Sequence, residues 1–180
     1  MSITELAPAK LNLTLDVGAR RPDGYHEITS VMQSAALYDV VTLETVETDD
    51  IVVECPGTDL PTGPDNLAWK AADVFFQETN IPRTGIIIRL EKKIPSQAGL
   101  GGGSSDAAAV LRGMRRLFGA NLSDEALETM AARVGSDVPY CVRGGTALAR
   151  GRGERLTALS PLPMCWLVIY QTMPQNEFAY

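Results

Sequence analysis

Residues 95–109 read PSQAGLGGGSSDAAA, a glycine run opening onto two serines, an aspartate and an alanine-rich stretch. Gly99, Gly101, Gly102 and Gly103 let the backbone take positive φ and approach a ligand with no Cβ in the way. The apolar spacing that follows, at Ala107, Val110, Leu111, Met114, Leu117 and Phe118, predicts a helix that Gly119 would stop. A helix start offers unpaired N–H groups and the positive end of its dipole. Glycine loop and helix together therefore make an anion cradle, with phosphate the foremost candidate. Ser104, Ser105 and Asp106 are N-cap types and are expected to cap this helix. Two commoner phosphate loops are excluded. No lysine follows the glycines ahead of Ser104 and Ser105, as G-x-x-x-x-G-K-[ST] requires, and the G-x-G-x-x-G spacing ends on Ser104.

Phosphoryl transfer to an alcohol needs a cradle, a metal and a group that manages the hydroxyl proton. Asp137, in Gly135-Ser136-Asp137-Val138-Pro139, could orient or deprotonate a hydroxyl; on spacing alone it reads first as a solvated aspartate behind a helix end. Lys10, ahead of alternating leucines, could set a cation beside a carboxylate or phosphate, or be an ordinary strand-end lysine. Tyr25 and His26 follow an Asp23-Gly24 turn and suit a planar heterocycle by stacking and hydrogen bonding; a surface loop is the equal alternative. Lys92 and Lys93 either screen phosphate charge or form a solvated pair.

These residues need elements to hold them. Ala9–Val17 alternates, with Leu11, Leu13 and Leu15 on one face, and reads as a half-buried strand. Residues 28–37 are extended, and Asp39–Glu47, Asp50–Glu54 and Thr84–Glu91 read as strands. Asn66 caps a helix from Leu67 to about Thr79, and Ser123 caps another that Gly135 ends, with Leu122 stapled to Leu127. Thr146–Ala149 is a short strand followed by a turn at GRGER, residues 159–163 a linker, and Cys165–Tyr170 a further strand. Strands first, then helices interleaved with strands, predict an α+β fold with a mixed, mostly antiparallel sheet.

The chain has 180 residues, 45% hydrophobic and 21% charged, a globular composition. Its 22 acidic against 16 basic residues give a net charge of -6, which argues against a nucleic-acid partner. Cys55, Cys141 and Cys165 lie far apart, so no disulfide framework or zinc site is expected; all three are read as small buried hydrophobes of a reducing compartment. MSITELAPAKLNLTL holds Glu5 and no long apolar core, unlike a signal peptide, and no apolar stretch is long enough to span a bilayer. A cytoplasmic location with no membrane partner is the expectation.

APAKLNLTLDVGARRPDGYHEITSVMQ, PSQAGLGGGSSDAAA and GSDVPY, in that order, resemble the 4-diphosphocytidyl-2-C-methyl-D-erythritol kinase family, a branch of the GHMP kinase superfamily. The resemblance covers nearly all of residues 6–160. The glycine loop marks only the superfamily; Lys10-Leu11-Asn12 with Asp23-Gly24-Tyr25-His26 is more specific, because in this family that loop reads cytidine. The resemblance implies a GHMP N-terminal fold, like domain 2 of ribosomal protein S5, over residues 1–160, and the start of a C-terminal domain over 161–180. It implies transfer of phosphate from ATP, with Mg²⁺, to the tertiary 2-hydroxyl of the methylerythritol unit, in the non-mevalonate route to isoprenoid precursors. It implies that Asp137 is the catalytic base and Lys10 its partner, and that Asn12, Tyr25 and His26 bind the cytidine-diphosphate substrate. Pro95, Gly99, Leu100, Gly101, Gly102, Gly103, Ser104 and Ser105 would hold the ATP phosphates, Ser105 would touch the metal, and Asn66 would contact the nucleotide. The implied partner is this small molecule, with room for a homodimer.

Two departures stand out. Met32 occupies a place where the family has an aromatic wall for the substrate pocket, and the family's second glycine motif has no match. Nor does QTMPQNEFAY match its substrate-contacting segment. Residues 1–180 are therefore expected to be the N-terminal part of such a kinase, with little or no turnover alone. Another GHMP kinase, acting on mevalonate, homoserine or a sugar, and a nucleotide-binding module without catalysis are the alternatives, with a nucleic-acid-binding relative disfavoured by the charge.

Overall fold

The computed structural model describes residues 1–170. Ten elements follow one another: β1 (Ser2–Arg20), β2 (His26–Val46), β3 (Ile51–Glu54), α1 (Leu67–Glu78), β4 (Gly85–Glu91), α2 (Gly102–Leu117), α3 (Asp124–Val134), α4 (Val138–Arg143), β5 (Thr146–Gly151) and β6 (Arg155–Ala158). The strands form one sheet in the order β3-β4-β2-β5-β6, with β1 also on β2. Every pairing is antiparallel except β3 with β4, so the α+β expectation holds.

β2 is the axis of the molecule. One edge carries β1 from Ser2↔Glu44 to Arg20↔His26, while the other serves β4 at residues 40–46 and β5 at residues 28–33. The sequence splits this strand in two; the β1 ladder joins the halves across a register shift between Pro8 and Ala9, while β4 and β5 each pair with one half. Alternation sets its faces. Val41, Leu43, Ile86, Ile88 and Leu90 point into a core shared with Phe75 of α1, Val110, Leu111 and Met114 of α2, Leu127 of α3 and Tyr140 of α4. On the opposite face Arg89 bridges Glu44 and Glu54 at 2.6 and 2.8 Å, as expected of a sheet with one wet side.

Caps fall where sequence places them for two helices. The Asn66 side chain accepts from Ala68 N at 2.9 Å, and Ser123 Oγ accepts from Ala126 N at 3.2 Å. Gly135 ends α3. Four expectations are corrected. The leucine face of β1 is not core: the ladder shifts register between Asn12 and Thr14, and from Leu13 onward every residue of β1 is exposed. The short helix α4 and the strand β6 escape the sequence pattern, α4 because six residues carry too little periodicity. Cys165–Tyr170 forms no strand, since no neighbour supplies a ladder, and Cys165 is exposed, unlike Cys55 and Cys141. QTMPQNEFAY lies outside the described residues. No helix among the described residues is long and apolar enough to cross a membrane.

Candidate active site

The cradle forms, but not with the expected caps. Gly101 stands at the N-cap of α2 in the left-handed region, at φ 67° and ψ 25°, and no side chain caps the helix. Ser104, Ser105 and Asp106 lie inside the helix, because it starts from Gly101, three residues before the first residue that cap preferences suggest. The first N–H groups of α2 are thereby left without a side-chain acceptor, which is the arrangement that binds an anion. Glycine is required at 101 on two counts: its positive φ, and a Cβ that would come 2.7 Å from Lys10 Cγ.

That proximity joins the cradle to the first strand. The Lys10 backbone N donates to Leu100 O at 2.9 Å, and Ser105 Oγ donates to Pro8 O at 2.7 Å. The Lys10 side chain is buried, so its ammonium needs partners. It finds two: Nζ donates to Asn12 Oδ1 at 2.7 Å and lies 3.0 Å from Asp137 Oδ2. Asn12 is oriented in turn, its Nδ2 donating to Ser30 Oγ at 2.7 Å, and Ser30 Oγ donating to Thr14 O at 2.6 Å. Asp137 sits at the N-cap of α4 yet makes no capping bond, so its carboxylate serves Lys10 and remains partly open to solvent. An anion cradle, a fixed ammonium and an accessible carboxylate thus converge from β1, α2 and the start of α4.

The comparisons bear on the family and the fold. Residues 66–145 match the family model of the GHMP kinases N terminal domain. The fold is that of a GHMP kinase N-terminal domain. The chain is 47% identical, over 94% of its length, to the 4-diphosphocytidyl-2-C-methyl-D-erythritol kinases of Enterococcus faecalis and Bacillus subtilis. It spans 59% and 58% of those two proteins. A crystal structure of 4-(cytidine 5'-diphospho)-2C-methyl-D-erythritol kinase superposes with a TM-score of 0.74 at 42% identity, covering 89% of this chain and 56% of that one. Methanococcus jannaschii mevalonate kinase, at 15% identity and a TM-score of 0.68 over 89% of this chain and 56% of its own, shares the fold.

Tyr25 and His26 stand at the far end of the β1–β2 hairpin. His26 Nδ1 lies 3.1 Å from Gly18 O, and half-exposed Tyr25 carries the Arg152 guanidinium 4.9 Å from its ring centroid. The β5–β6 turn spans from there back to the carboxylate. A Cβ on Gly153 would fall 3.6 Å from Asp137 Oδ1. Sequence reading takes GRGER for a plain turn; the signal it passes over is a pair of glycines around one arginine. Gly151 and Gly153 hold φ at 77° and 116°.

Other residues change role. The Asn66 amide is committed to its own chain, accepting from Ala68 N and donating to Pro61 O at 2.7 Å. It anchors α1 beside the cradle instead of presenting a free amide to a nucleotide. Ser105 is fully buried with its hydroxyl given to Pro8, so it does not reach a metal as expected. Met32 is packed in the core and not on a pocket wall. Lys92 is no solvated cation: it is buried between Asp39 and Asp106, with ion pairs to both. Asp39 Oδ1 further accepts from Lys93 N at 2.5 Å and Ile94 N at 2.8 Å, but Asp106 Oδ1 has no partner. Burial pushes the Asp106 carboxyl up to about 7 against the pull of Lys92, and Asp39 adds to the rise. Burial opposes the Lys92 charge as well, yet the two carboxylates outweigh it and hold the ammonium above its ordinary pKa. One cation serves two carboxylates, and the Asp106 carboxylate, with one oxygen unpartnered, is the one whose pKa rises.

A groove of about 550 Å³ elsewhere, lined by Leu6, Tyr38, Arg112, Arg116 and Cys141 among others, includes neither the glycine loop nor Lys10 nor Asp137. Among the described residues no three His, Cys, Asp or Glu side chains are grouped to hold a metal.

Proposed function

We propose that this chain supplies the ATP-binding domain of a kinase that phosphorylates the 2-hydroxyl of 4-diphosphocytidyl-2-C-methyl-D-erythritol. The observation that carries this reading is Lys10, whose backbone is bonded to the glycine loop while its ammonium meets Asp137. The phosphates of ATP rest on the start of α2, whose N–H groups stabilise charge on the transferring phosphoryl. Loss of one such donor costs roughly a hundredfold or more in rate. Asp137 orients the acceptor hydroxyl and receives its proton, and Lys10 keeps that carboxylate in place. A tertiary alcohol is a poor nucleophile, so this positioning carries much of the rate.

Tyr25 and His26 take the cytosine, the base by stacking and its polar edge by hydrogen bonding. Magnesium accompanies the nucleotide and neutralises phosphate charge. An ion of this kind is held chiefly by substrate phosphates. The acceptor is a small molecule, and the cytoplasm is the compartment we assign. The Tyr25-His26 loop and the 47% identity to cytidine-substrate kinases favour this acceptor over mevalonate or homoserine.

An assay supplying ATP, Mg²⁺ and the cytidine-bearing alcohol, beside mevalonate and homoserine, tests the assignment. Preferential phosphorylation of a cytidine-free alcohol would overturn it. For residues 1–180 alone the expected result is calorimetric binding of ATP and of cytidine nucleotides without robust turnover.

A further inference from the structure

We propose that Arg152 is a specificity-determining residue that takes the diphosphate of the acceptor, an inference that rests on the cytidine-nucleotide reading above. Its guanidinium lies 4.9 Å from the Tyr25 centroid, a cation stacked on an aromatic face. The next residue in the same turn, Gly153, abuts Asp137. Arg152 therefore stands on a segment that touches both the ring that receives the base and the carboxylate that receives the hydroxyl. What lies between base and alcohol in a cytidine-diphosphate derivative is the ribose and then the diphosphate.

The local charges support the assignment. Arg21 is paired with Asp23 and Glu27, and Arg155 with Glu27, while Arg20 donates its Nε to Gly24 O at 3.3 Å. Among the described residues no carboxylate lies within ion-pair distance of the Arg152 guanidinium, while its backbone N–H is fixed by Glu154 at 2.6 Å. The positive φ of Gly151 and Gly153 sets the turn that projects it. A planar fork of N–H donors, stacked on Tyr25 and in no direct ion pair although its charge is felt by Asp23, matches the phosphate geometry that arginine recognises. Tyr25 thus reads the base with one face and braces Arg152 with the other.

The test is calorimetric and uses cytidine and cytidine 5′-diphosphate as probes. Wild type should prefer the diphosphate over the nucleoside, and Arg152→Ala should reduce that preference by about tenfold while leaving cytidine affinity nearly intact. Arg152→Lys should recover only part of it, since the charge returns without the fork. Tyr25→Ala should weaken both probes together. An unchanged diphosphate-to-nucleoside ratio in Arg152→Ala, with the wild-type preference present, overturns the role of Arg152 alone. Wild type that binds ATP but neither cytidine probe overturns the substrate reading and this inference with it.

Discussion

Lys10 Nζ stands between Asn12 Oδ1 at 2.7 Å and Asp137 Oδ2 at 3.0 Å, so a buried ammonium from the first strand fixes a carboxylate at the start of α4. Lys10 is nearly buried while Asp137 keeps about a third of its side chain open, 9% against 31% exposure. The asymmetry suits a division of labour in which the lysine is held and the carboxylate meets the acceptor. Asp137→Asn is expected to lower phosphoryl transfer by roughly 10²–10⁴-fold, the usual span for removing a positioned acid–base group. ATP affinity should be unchanged, because the cradle does not use that carboxylate. Lys10→Met should lower transfer too, and should also disturb the loop that packs on its stem. Single-turnover rates in a complete kinase carrying this domain, beside calorimetric ATP affinity, check both; intact turnover in its Asp137→Asn variant would remove Asp137 from the chemistry.

Gly101 and Gly99 offer a paired test of the cradle. Both hold positive φ, at 67° and 71°, so alanine at either place costs about 1–2 kcal/mol of backbone strain. Only at 101 would the new Cβ meet anything: Lys10 Cγ at 2.7 Å, against nothing within 4 Å at 99. The stem of Lys10 cannot retreat freely, since Asn12 and Asp137 hold its ammonium. Gly101→Ala should therefore lose both stability and ATP binding, whereas Gly99→Ala should show the strain with binding largely retained. Thermal melts and ATP calorimetry on the two variants decide, and equal losses of ATP affinity would contradict the Lys10 contact.

What could be read from the sequence follows where local chemistry decides. Asn66 and Ser123 cap their helices as expected because a cap is a bond within three residues of itself. The glycine loop is legible as a cradle, but cap preferences put the start of α2 too late, because the approach of Lys10 to Gly101 is a long-range contact that they do not contain. Lys10 and Asp137 carry no signal of their meeting, which the strand ladder and the α3–α4 connection create; only the family resemblance pointed to it. Lys92 looks like a surface lysine in sequence, and becomes a buried counter-ion once β2 and α2 bring Asp39 and Asp106 to it. Leu11, Leu13 and Leu15 of β1 follow strand period faithfully, yet Leu11 packs on the small cluster of Ala9, Ile94 and Leu100 while Leu13 and Leu15 face solvent, since alternation reports the faces of a strand and not what covers them.

Gly113 lies mid-helix in α2, where alanine is normally favoured by about 1 kcal/mol. Here an added Cβ would sit 2.6 Å from Leu43 Cδ1 and 3.3 Å from Glu5 Cγ. Leu43 is fully buried, so it has no room to give. Overpacking of this kind costs about 1–3 kcal/mol and should outweigh the propensity gain. Gly113→Ala is thus expected to be destabilising in urea unfolding; a variant more stable than wild type would show that α2 can shift off β2.

Asp106 makes stability depend on pH near neutrality. Its carboxyl is raised from 3.8 to about 7 by burial beside a lysine that Asp39 also claims. Between those two values the folded chain binds a proton that the unfolded chain has released. Stability from this group is therefore full below about pH 4, falls as pH rises toward 7 and levels off above it. Lys92, held above its ordinary pKa, stays charged across that range and adds no slope of its own. Asp106→Asn keeps an oxygen for Lys92 and cannot ionise, so its melting temperature should fall less between pH 5 and pH 8, roughly the span where Asp106 titrates. Parallel melting curves for the two proteins over that span would mean that Asp106 is already ionised in the fold, with Lys92 shared equally between the two carboxylates.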